Sequence, residues 1–195
     1  DLDTKAKEVV PTEGKTKATV DAYNEAKTAA AKAVTDAEAV INDENVTDKA
    51  VANALAEVKA KKAALEAAKA ALVDKVTEAQ KTALGNAGTD LAVLGDAELA
   101  GKTKATADAY KAETGNLTEE IAAAKREAEA ILADPENKTQ AEAALVEAKI
   151  AALKAKLEAA KAKLVAKADT AELSAAKADL DTKAKEVVPT EGKTK

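Results

Sequence analysis

Apolar residues return every three or four positions along most of the chain. Tyr23, Ala26, Ala30, Val34, Ala37 and Ile41 share one face over residues 17–41, the spacing of an amphipathic helix. The NDEN stretch at 42–45 closes that helix, and Thr47 has the side chain of an N-cap for a second one. There Val51, Val58, Leu65 and Leu72 stand seven residues apart, a seam suited to coiled-coil-like packing. Further along, Val146, Ile150, Leu153, Leu157 and Leu164 carry a denser version of the same seam.

A third stripe follows the second seam. Leu173, Ala176, Leu180, Ala184 and Val187 or Val188 form one that ends before Pro189, with Asp169 and Glu172 at capping-box spacing. The matching region of the first half contains GNAG at 85–88. Glycine is a poor helix former, so this third helix is expected to be broken or short. The stretch ETGNLTEE at 113–120 adds about four residues to the first helix of the second half. Four residues are close to one turn, so the helix either absorbs them as a local irregularity or breaks at Gly115 and Asn116 with Thr118 as a new cap. Leu117, Ile121, Ala124, Ala128 and Ile131 continue the stripe in either case.

The stripes repeat because the sequence does. GKTKATVDAY at 14–23 returns as GKTKATADAY at 101–110, LEAAKAALV at 65–73 returns as LEAAKAKLV at 157–165, and AEAVINDENVT at 37–47 is answered by AEAILADPENKT at 128–139. At a larger scale residues 1–17 and 179–195 are identical, so Asp1 recurs as Asp179, a period of 178 residues. An engineered duplication would produce such an identity; an array cut from a longer chain explains it together with the inner repeat. The division is then 1–13 as the tail of a preceding repeat, 14–100 as repeat one, 101–191 as repeat two and 192–195 as the start of a following repeat. The fold class is all-α: two tandem antiparallel three-helix-bundle repeats arranged end to end as an elongated rod. Helices of about 25 to 30 residues are each roughly 40 Å long, so two units would span on the order of 80 to 100 Å.

Composition sharpens this picture and removes several classes of function. Alanine supplies more than a quarter of the residues, while Cys, His, Met, Trp and Phe are missing; the aromatics are Tyr23 and Tyr110, and Arg126 is the single arginine. Ala, Leu, Lys and Glu favour long helices, and alanine surfaces let helix axes approach to about 8 Å. The 35 acidic and 30 basic residues are interspersed, for a net charge of −5, which supplies neither the basic face nor the stacking aromatics of a nucleic-acid binder. No run of eighteen apolar residues predicts a membrane span. Without an initiator Met or signal peptide, the chain reads as a fragment of something longer.

No constellation of residues points to catalysis. Nucleophile and base chemistry needs His, Cys or a positioned Ser; Ser174 is the only serine and there is no histidine. The acidic turns NDEN (42–45) and DPEN (134–137) lack the alternating oxygen ligands, central Gly and twelfth-position Glu of a calcium loop. They read as solvated loops and helix caps, as do Asp1 and Asp3 with their copies Asp179 and Asp181. The expectation is therefore no enzyme, and no catalytic, cofactor or metal site. The two tyrosines are expected to pack in the first helix of each unit with the hydroxyl at the rim.

The run 21–65, with its early Tyr, the A-x-x-V-I helix end, an acidic turn, Thr, and then A-L followed by spaced Leu, resembles the FIVAR modules found in tandem in cell-wall-anchored surface proteins of Gram-positive bacteria. The resemblance covers about half of each unit. It implies an extracellular helical array that serves as a stalk or as part of an adhesin, with Tyr23 and Tyr110 at the family's aromatic position and no catalytic residues. The leading expectation is a spacer that projects a distal binding domain from the cell wall, its partners being neighbouring repeats of the same chain, with no nucleic acid, no membrane insertion and a monomeric state. A helical interaction module that binds a host serum or matrix protein is the alternative. A desiccation protectant, a third class of similar composition, would be largely disordered when dilute, against which the seven-spaced Val, Ile and Leu argue.

Overall fold

Residues 1–186 are described by the computed structural model, and Val187, Val188, Pro189 and the expected repeat start at 192–195 lie outside them. The described chain is all-helical: α1 Leu2–Lys7, α2 Lys17–Ile41, α3 Asp48–Ala70, α4 Glu78–Gly95, α5 Lys104–Asn116, α6 Thr118–Ala133, α7 Gln140–Ala162 and α8 Ala171–Lys185. Strand-like backbone pairing is confined, among the described residues, to three isolated antiparallel bridges.

Threonine starts most of the helices. The Thr47 hydroxyl accepts from the Ala50 N–H at the head of α3. Full capping boxes form at Thr77 with Gln80 and at Thr139 with Glu142, each satisfying two backbone donors that the helix itself leaves free. At α8 the expected box does not form. Thr170 is the N-cap, and the Asp169 carboxylate accepts from the Ala171 N–H at 2.8 Å in a local turn, which takes Asp169 out of position for Glu172.

One further expectation is corrected, and one open alternative is decided. GNAG does not break the third helix: α4 is continuous through Gly85 and Gly88 because Leu84, Ala87 and Leu91 are buried along it and the Thr77 box anchors its start. Burial of two leucines outweighs the roughly 1 kcal/mol that each interior glycine costs. At the insertion α5 continues to Asn116, and Leu117 keeps near-helical angles (φ −93°, ψ −7°) before α6 begins. Thr118 is the first residue of α6, and no side chain caps it; the extra turn is absorbed as a step.

The helices pack in two groups. In the first, α1 lies on α2 and α3, and Leu2, Ala6, Tyr23, Ala30, Ala33 and Leu65 form its core. Bonds from Lys62 to Asp1 and from Lys69 to Glu8 set α1 parallel to α3, while the Thr16 N–H on Val73 O brings the start of α2 to the end of α3, making those two antiparallel. In the second group α4 packs against α6 and α7, with α5 beside α7. Its core runs from Val76 and Leu84 through Ile131 and Val146 to Leu157.

The packing boundary therefore differs from the sequence boundary. Dividing the chain at 100/101 assigns α4 to repeat one, whereas its apolar face is buried in the group built from repeat two. A tandem period sets the length of a unit but not its phase. Each hairpin of long helices is completed by the helix that precedes it in the chain.

Candidate functional site

The most specific arrangement in the molecule is the junction between the groups. Gly14 precedes it at φ 75°, and its repeat partner Gly101 has φ 71°, backbone conformations that side chains with a Cβ rarely adopt. The turn at Gly14 lays residues 14–16 alongside residues 73–75: the Thr16 N–H donates to Val73 O at 2.8 Å and the Lys75 N–H to Gly14 O at 2.9 Å. The opposite edge of the same segment meets the loop before α7. There the Val76 N–H donates to Lys138 O at 2.8 Å and the Gln140 N–H to Asp74 O at 3.1 Å. The three short segments form a small sheet-like clasp across the boundary.

Side chains reinforce it. Lys75 Nζ donates to both carboxylate oxygens of Glu136 at 3.0 and 2.7 Å, and Lys15 Nζ to Asp74 at 2.8 Å. The DPEN turn, expected as a solvated loop or cap, acts here as a cap for a helix of the other group. The Lys17 N–H at the head of α2 donates to Glu136 O at 2.7 Å, and the Ala18 N–H to the Asn137 side-chain oxygen at 3.2 Å. These satisfy first-turn donors of α2 that have no partner within their own helix. Val76 carries the clasp into the hydrophobic core, with 4% of its surface exposed.

The second junction repeats half of this design. The Thr103 N–H donates to Val165 O at 2.8 Å and the Lys167 N–H to Gly101 O at 2.7 Å. Among the described residues no third segment bridges to the other edge of 165–167.

Both tyrosines lie deeper than a rim position. Tyr23 and Tyr110 are each 3% exposed, and the Tyr110 hydroxyl donates to Leu94 O at 2.6 Å and Gly95 O at 3.1 Å. It thereby caps carbonyls that the end of α4 leaves free, a role that binds α5 to α4. Ser174, in the first turn of exposed α8, has no histidine anywhere in the chain to activate it.

The titratable groups record local pairing. Hydrogen bonds from the Thr139 backbone, then from the Thr139 hydroxyl, hold the Glu142 carboxyl below its ordinary value of 4.5, and the Lys69 hydrogen bond lowers that of Glu8. A cleft of about 470 Å³ opens between the end of α4 and the α5–α6 step. Among the described residues no cluster of three or more potential ligands is placed to hold a metal ion, and no helix is long and apolar enough to cross a membrane.

The clasp is not legible in the local sequence pattern, because its backbone bonds join residues about sixty positions apart. Its available signal is GKTK, which stands at the same place ahead of each first helix. Comparison of the chain with family models, with curated proteins and with solved structures finds no match in any of the three.

Proposed function

We propose that the chain is a structural spacer: a stretch of tandem three-helix bundles, joined end to end as an elongated rod, that projects a distal binding domain from a Gram-positive cell wall. It works outside the cell and catalyses nothing. The observation that carries the reading is the clasp at 14–16, 73–76 and 136–140, which couples one helix group to the next through backbone hydrogen bonds and the buried Val76. A spacer that transmits position or force needs such a coupling, because a free linker behaves as a coil.

Three further features support it. Repetition at 178 residues, with a related inner unit, is the organisation of a chain that grows by adding length. The accessible surface of 13268 Å² exceeds the roughly 8,700 Å² of a compact monomer of this mass, as a slender object requires. The resemblance of 21–65 to FIVAR modules supplies the cell-surface setting.

Solution X-ray scattering on a helical sample tests the proposal. A rod about 90 Å long has a radius of gyration near 26 to 30 Å, against roughly 16 Å for a globule of this length. A value near 16 Å would refute the spacer.

A further inference from the structure

The second helix group displays a complete three-sided core. α4 buries Leu84, Ala87 and Leu91, and Lys154 on α7 bonds to Asp90. In the first group α1 reproduces only the end of this arrangement. Lys62, which matches Lys154 in the repeat, bonds to Asp1, and Leu2 is 4% exposed, so Asp1 and Leu2 occupy the places of Asp90 and Leu91. Among the described residues nothing fills the places of Leu84 and Ala87. Instead Ala37, Val40, Val51, Ala54 and Val58 line an open groove of about 310 Å³. Their repeat counterparts, Ala128, Ile131, Ala143, Val146 and Ile150, are all buried.

The residues that would fill this groove are in α8. LSAAKADL at 173–180 matches LGNAGTDL at 84–91 at both leucines, the alanine and the aspartate, and residues 179–186 are identical to 1–8. Yet α8 buries none of its residues, leaving Leu173 71% and Leu180 69% exposed. The register of α1 places the match: with Asp1 beside Lys62 and Glu8 beside Lys69, extending that helix backwards brings a leucine at the position of Leu173 level with Leu55 and Val58. The edge of 165–167, which no segment among the described residues pairs, adds an independent indication. In the first junction the corresponding edge receives residues 136–140, whose repeat counterparts Glu44, Asn45 and Thr47 lie exposed at the end of the first group.

We propose that α8 of one copy of this chain docks into the α2–α3 groove of a second copy. Leu173, Ala176 and Leu180 fill the groove, Asp179 meets Lys62, and the 165–167 edge pairs with residues 44–47, placing Lys167 against Glu44. α8 displaces α1, whose sequence it contains, and adds the leucine that α1 lacks. Docking also supplies the packing that a lone helix of 15 residues needs to persist in water. The contact joins two different surfaces, so it propagates head to tail instead of closing. The inference rests on the tandem-array reading and is its form between separate chains.

The test is fluorescence anisotropy of a labelled peptide of residues 165–186 titrated with the full chain. Binding is expected, weakened at least about tenfold by Leu173→Ser in the peptide. It should be strengthened by Leu2→Ser in the chain, which loosens the competing α1, while circular dichroism checks that the chain stays helical. Equal binding of the Leu173→Ser peptide, or a Leu2→Ser chain that binds no better, overturns the proposal. As a second measurement, sedimentation of the full chain should show concentration-dependent association that Leu173→Asp abolishes; α8 buries nothing, so that variant leaves the two cores intact, and association unchanged by it also overturns the proposal. Scattering from a dilute sample judges the spacer separately: rod-like scattering without peptide binding removes only this inference, and globular scattering with binding removes only the spacer.

Discussion

Val76→Ala probes the coupling between the helix groups with the least disturbance. Val76 is 4% exposed and belongs to the core of α4, α6 and α7, while its N–H holds Lys138 O at 2.8 Å in the clasp. The substitution keeps that backbone bond and deletes two methyl carbons. At about 0.8 kcal/mol per buried carbon the transfer loss is about 1.6 kcal/mol, and incomplete collapse of the cavity raises the total to about 2–3 kcal/mol. Urea denaturation followed by circular dichroism would read the loss in the transition of the second group. Hydrogen exchange would read the coupling: if the clasp is one unit, the amides of Thr16 and Lys17, on the far side of the boundary, lose protection together with that of Gln140. A destabilisation below about 0.5 kcal/mol would refute the placement of Val76 in a packed core. Loss of stability with unchanged exchange at Thr16 and Lys17 would show that the groups are joined by chain connectivity alone.

The remaining predictions address α4 and its neighbours. Gly85→Ala and Gly88→Ala should each stabilise the chain by about 0.5–1 kcal/mol, since an added Cβ meets nothing within 4 Å at either site; thermal melts check this, and a lowered melting temperature would contradict a continuous α4. Tyr110→Phe removes the hydroxyl that donates to Leu94 and Gly95 and should cost about 1–2 kcal/mol, with faster amide exchange near Asp96. Because the folded pKa of Glu142 is depressed below 4.5, its capping contribution is fully present above pH 4.5 and is lost as pH falls through the lower folded value. Exchange or chemical-shift titration at Thr139 and Glu142 should show the first turn of α7 loosening in that acidic window, and a midpoint at or above 4.5 would refute the depressed pKa.

Local structure was written plainly in the sequence. The three-four spacing of Tyr23 through Ile41 placed α2, Thr47 capped α3 as expected, and the seam of Val146, Ile150, Leu153 and Leu157 is the buried face of α7. These features depend on contacts within one or two helical turns, which a periodic pattern encodes directly. The inner repeat likewise places matching turns ahead of α2 and α5, where Gly14 and Gly101 share a positive φ.

Tertiary structure decided the rest. α4 survives its glycines because two buried leucines outweigh a local propensity, and the sequence pattern alone could not supply the size of that burial. Which hairpin α4 joins depends on how the backbone leaves α3 at 73–76, and that path is set by hydrogen bonds to Gly14 and Lys138, residues 61 and 62 positions from their partners Lys75 and Val76. The sequence by itself determined the long helices α2, α3 and α7 and the presence of a repeat. Only the packed structure determined where one unit ends and the next begins, because a repeat has the same period at every phase and only buried contacts distinguish one phase from another.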